Sequence, residues 1–175
     1  MFKRKQPPPA SALRLDPLII QLREKALTGS IDDLGQRRDP MPPVWLGVME
    51  WIVGDSAVTL VSVNDGATSL YFSQGGGFIG AGEHEPVAVA TGQFLGECYI
   101  AREQFAPAIG FDFPPAGVVR FYVRTDGNEI LTASAPEDEI RQRGHALFRP
   151  WAAAQAVITQ IRERSREVGT DDPAS

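Results

Sequence analysis

Residues 44–54, VWLGVMEWIVG, are apolar at almost every position. In an extended chain successive side chains point to opposite faces. Val44, Leu46, Val48 and Ile52 then share one face, and Trp45, Met49, Trp51 and Val53 share the other. A strand that is apolar on both faces belongs in the middle of a sheet with covering layers on both sides. This constraint organises the rest of the chain. One residue breaks the pattern, Glu50 on the first face. A carboxylate in a central strand needs a partner, a raised pKa or water at a strand end. A hydrated position near a strand end or cleft is the preferred reading, and pairing with Arg120 or Arg124, in a later strand, is the alternative if the two strands are neighbours.

Two more strands follow directly. AVTLVSV (57–63) leads into NDGA, a hairpin signal because Asp and Gly tolerate positive φ. ATSLYFS (67–73) returns with Leu70 and Phe72 on one side, which completes a three-stranded antiparallel meander. Farther along, VVRFYVR (118–124) sets Val119, Phe121 and Val123 against Arg120, Tyr122 and Arg124. TDGN turns the chain and EILTASA pairs back as a second hairpin.

Three helical stretches separate these groups. Asp16, Pro17 and Gly29 are start and stop signals for the first, with Leu18, Leu22, Ile19 and Ala26 as its apolar stripe. RRDPMPP (37–43) is a linker. The second helix is expected over 86–105, where Val87, Ala90, Phe94, Cys98, Ala101 and Phe105 follow the helical period. Gly92 and Gly96 within it each cost about 1 kcal/mol of helix propensity relative to Ala. Their four-residue spacing predicts close backbone approach by another element. The last region opens on Ser134 and Glu137 in capping-box spacing. Ile140, Gly144, Leu147, Trp151, Ala154, Ile158 and Ile161 then repeat in an a/d pattern, with a break expected near Phe148 because of Pro150.

The expected fold class is α+β: a single antiparallel five-stranded sheet with helices packed on it. One domain spans 13–168, between a disordered, basic, Pro-rich tail at 1–12 and a second tail at 169–175. The order α-βββ-α-ββ-α resembles that of profilin-like and roadblock-like domains, a resemblance of element order only.

Composition narrows the function. The 175 residues are 43% hydrophobic and 22% charged, with a net charge of −5, and Lys3, Arg4 and Lys5 all lie in the tail. The remaining body is acidic, which argues against nucleic acid as a partner. There is no membrane-length apolar run and no signal-peptide core. The single Cys98 cannot form an internal disulfide, and the cytoplasm is the expected compartment.

The stretch SQGGGFIGAGEHEP (73–86) contains the expected ligand-binding candidates Gly75, Gly76, Gly77, Gly80, Gly82 and His84. Gly75, Gly77 and Gly80 spell G-x-G-x-x-G, but a dinucleotide fold needs that motif inside a βαβ unit. Here it follows an antiparallel hairpin. A bend that lets the strand leave the sheet is the preferred reading, and an anion site is the alternative. Cys98 reads as a small core residue, and no cofactor or metal is implied.

Three functions remain. The first is a non-catalytic protein-interaction or regulatory module, expected as a homodimer through a seam containing Leu147, Trp151 and Ile158. The second is a small-molecule or anion binder at 75–82. The third is an enzyme seeded by Glu50 and His84.

Overall fold

A computed structural model describes residues 13–35, 41–127 and 129–170. The tail expected at 1–12 and residues 171–175 of the second tail lie outside the described residues. Positions 169 and 170, expected in that tail, continue the last helix instead.

The elements are α1 (Pro17–Thr28), α2 (Ile31–Leu34), β1 (Val44–Val53), β2 (Ser56–Val63), β3 (Thr68–Phe72) and β4 (Gly77–Phe78). They continue as α3 (Glu85–Ile100), β5 (Ala106–Pro107), β6 (Val118–Thr125), β7 (Ile130–Pro136), α4 (Glu137–Ile140) and α5 (Phe148–Thr170). The strands form one antiparallel sheet in the order β4-β3-β2-β1-β6-β7-β5. It has seven strands rather than five. The two additions, β4 and β5, are two-residue edge pairings, too short to leave a periodic signal. β1 is central, as its two apolar faces require.

One layer, α3 and α5, covers the face that carries Met49, Leu60, Leu70, Phe121 and Val123. On the other, α1 and the loop after β5 cover Leu46, Val48, Val61 and Tyr122. The alternation in β1 is corrected at its start. A register shift against β6 between Val44 and Leu46 is a β-bulge. It moves Val44 to the Met49 face and Trp45 to the Leu46 face. The Trp45 indole N–H donates to the Thr125 carbonyl at 2.9 Å.

The capping signals of α1 are observed. Asp16 accepts from the backbone N–H of Leu18 and Ile19, and Gly29 N–H closes onto Lys25 O. Its buried stripe, however, is Ile19, Arg23, Ala26 and Leu27, and Leu18 is 60% exposed. The helix expected over 86–105 ends as α3 at Ile100, followed by a 3-10 turn at Arg102–Gln104. Ser134 does not cap a helix: it lies in β7, and α4 starts after Pro136. The chain breaks between α4 and α5, and Pro150 sits in the first turn of α5. No helix of the described residues is long and apolar enough to cross a membrane.

Candidate functional site

Glu50 is fully buried rather than hydrated at a strand end, and its partner is neither Arg120 nor Arg124. Arg23 reaches it from α1 as a two-point clamp, Nε to Oε1 at 2.6 Å and Nη2 to Oε2 at 2.8 Å. Thr59 on β2 donates to Oε1 at 2.8 Å. Arg23 Nη2 also donates to the Phe111 carbonyl at 2.6 Å, and the guanidinium lies 4.1 Å from the centre of the Phe113 ring. Burial alone disfavours the Arg23 charge, but the hydrogen bonds and charge of Glu50 outweigh it and raise its pKa. The cluster ties α1, β1, β2 and the 111–113 loop together. Arg120 does face Glu50 across the β1–β6 register, yet its guanidinium donates to the Asp112 carbonyl. Arg124 lies over the Trp45 ring at 5.3 Å and donates to Gly29 O.

The glycine stretch is a corner of the sheet. Gly75, Gly76, Gly77 and Gly80 all have positive φ. They turn β3 into β4 and open a 3-10 turn at Ala81–Glu83. A Cβ on Gly77 would stand 2.2 Å from Leu70 O, and one on Gly82 would stand 1.7 Å from Gly66 O. Both glycines are therefore needed for backbone contact. The G-x-G-x-x-G motif lies in an antiparallel ladder, not in a βαβ unit.

His84 precedes α3 and accepts through Nε2 from Arg164 Nε of α5 at 3.0 Å. It belongs to the α3–α5 layer, whereas Glu50 points to the opposite face with α1. The two enzyme seeds are thus on different faces of the sheet. Among the described residues no group of three or more His, Cys, Asp or Glu is placed to hold a metal.

Cys98 is fully buried between α3 and the sheet, and burial pushes its thiol pKa upward. The native protein is expected to resist thiol-modifying reagents, with labelling only as fast as the fold opens. Burial also raises Tyr122. Both groups hold their protons in the fold, so their contribution is complete below their ordinary pKa values. It falls as the pH climbs past those values, because only the unfolded chain ionises. Thiol labelling and urea unfolding across the alkaline range check both statements. Rapid native labelling would contradict the core assignment.

Leu147 and Ile158 of the heptad seam are buried under the chain's own sheet, with Ala154 and Ile161. Trp151 is half-buried beside Phe148, with ring centres 6.1 Å apart. The a/d repeat therefore records packing within the chain at Leu147 and Ile158.

A different surface is left open. Among the described residues Gly92 and Gly96 meet no element: a Cβ on either would have nothing of them within 4 Å. The close approach expected there does not occur. Instead, the two glycines and Tyr99 form one wall of a groove of about 470 Å³, and Met41, Pro42 and Pro43 form the other. Val89, Tyr99 and Ile100 stand exposed on the same helix, at 55%, 41% and 59%. Asn64, in the β2–β3 turn, also lines the groove. The nitrogen and oxygen of its carboxamide are both closed off from solvent and, among the described residues, without a hydrogen-bond partner. Leaving such groups unpaired costs about 1–3 kcal/mol each. The sequence signal for this site was present as two glycines in a helix and one Asn, but Asn64 reads as an ordinary turn residue.

No protein-family model, no curated protein and no solved structure matches the chain.

Proposed function

We propose that the chain is a non-catalytic protein-interaction module of the cytoplasm. Its groove between α3 and residues 41–44 receives an extended, apolar stretch of a partner protein. The observation that carries this reading is the unpaired Asn64 carboxamide beside the bare Gly92 and Gly96. Both carboxamide groups are closed off in the free protein, so the reading includes a shift of the groove wall that uncovers them; they then offer a donor and an acceptor, the complement of one peptide unit. An extended main chain has both groups free, whereas a helix has already paired its own. The missing side chains at Gly92 and Gly96 allow that main chain to come close. Met41 and the two prolines supply apolar surface, with Met able to adapt its shape. The element order, which resembles that of profilin-like and roadblock-like domains, is compatible with a binding role. A single buried thiol suits a reducing compartment.

The test is a selection from a displayed library of linear peptides against the full chain, repeated with Gly96→Leu. The substitution fills the groove from an open position, so the fold is expected to be retained. The wild-type protein should enrich apolar, extended sequences, and Gly96→Leu should lose them with an affinity drop of at least about tenfold. Equal enrichment by both proteins would remove the groove from the account.

A further inference from the structure

The opposite face of the sheet carries a second, differently built cleft. After α3 the chain runs along the β7 edge, pairing Ala106 with Thr132 and Pro107 with Leu131. Ala108 N–H then donates to Ile130 O at 3.1 Å. From there the chain crosses back over β6. The Phe111 ring packs edge-on against Tyr122 at 5.8 Å, and the Phe111 carbonyl and Phe113 ring are held by Arg23. Residues 108–113 therefore form an arch with one foot on β7 and the other on the Arg23–Glu50 clamp. Beneath it lies a cleft of about 330 Å³.

Arg120, Tyr122, Thr132 and Ser134 are its floor, and Ile109 and Asp112 belong to the arch. Arg120 donates through Nη1 to the Asp112 main-chain carbonyl at 2.8 Å, which fixes the guanidinium at the cleft. It has no carboxylate partner among the described residues. The Asp112 carboxylate likewise has no hydrogen bond or ion pair among the described residues, although it adds to the field that favours the Arg23 charge. So an unpaired cation and an unpaired anion border one cleft without meeting each other. Ser134 adds a hydroxyl to the lining, Tyr122 and Thr132 spend theirs on the Asp112 and Phe121 carbonyls, and Ile109 supplies an apolar edge.

We infer that this cleft binds a free α-amino acid: Arg120 takes the carboxylate, Asp112 takes the ammonium, and Ile109 meets the side chain. The guanidinium fork matches a carboxylate in geometry as well as charge. A ligand with one charge of each sign satisfies both residues without changing the net charge of the site. A simple anion would bring its charge close to Asp112, and a simple cation would bring its charge close to Arg120. The site lies on the face opposite the α3 groove, so it stands or falls independently of the peptide-binding role.

The experiment is calorimetric titration of the full chain with each common α-amino acid, then with the N-acetyl and C-amide forms of whichever binds. At least one free amino acid should bind with a Kd below about 10 mM, and blocking either end should weaken it at least about tenfold. Asp112→Asn and Arg120→Gln should each do the same, with circular dichroism melts confirming that both variants fold. Should Arg120→Gln fail to fold, Asp112→Asn and the blocked ligands still decide the matter. Absence of binding by any amino acid overturns the inference. Binding that tolerates the N-acetyl group and Asp112→Asn also overturns it, because the cleft would then be an anion site only.

Discussion

Glu50→Ala is expected to lower the unfolding free energy by about 3–5 kcal/mol, because it leaves the Arg23 charge buried and uncompensated. Arg23 is 8% exposed and donates two of its hydrogen bonds to Glu50. Thr59 loses its acceptor in the same substitution. The effect belongs to breaking the pair, not to the net worth of the pair. The double variant Arg23→Met with Glu50→Leu removes both charges at similar volume and is expected to cost far less than Glu50→Ala alone. Urea unfolding followed by tryptophan fluorescence measures both. A loss below about 1 kcal/mol for Glu50→Ala would mean that water reaches the carboxylate, against the enclosure described above.

Gly82→Ala is the second large effect, with an expected loss of about 3 kcal/mol. The new methyl group would meet Gly66 O at 1.7 Å and the Gly66 carbonyl carbon at 2.5 Å, and neither can swing away as a side chain would. Gly76→Ala is the control. Its φ is +81° but nothing lies within 4 Å, so only the left-handed backbone opposes the substitution, at about 1–2 kcal/mol. The difference between the two separates packing from conformation. Equal, small losses would show that the corner does not rest on the β2–β3 turn. It would then regain its interest as a loop free to hold a ligand.

The strands and their hydrophobic faces were largely legible in the sequence because a period of two is a local property. The bulge at Trp45 was not, because nothing in VWLG marks which residue is the extra one. Glu50 was recognised as anomalous, yet it was read first as hydrated and only second as paired with the strand opposite. Arg23 lies 27 residues away in sequence on a helix, where an arginine reads as surface. It falls four residues after Ile19 and four before Leu27, so the buried stripe runs through it. The α5 repeat was legible as a period, but a period does not say whether a seam faces its own sheet or another chain. At the groove, the cost of Gly92 and Gly96 was legible and the compensation was misjudged: the space beside them stays open.

Asn64→Ala tests the central claim most directly, through two numbers taken on one variant. Unfolding free energy is measured in urea, and affinity is measured for a peptide selected on the wild-type protein. Removing an unpaired, enclosed carboxamide should leave stability unchanged or raise it by about 1 kcal/mol, while peptide affinity falls at least about tenfold. A loss of stability with affinity unchanged would contradict the account, since Asn64 would then serve the fold and not the groove.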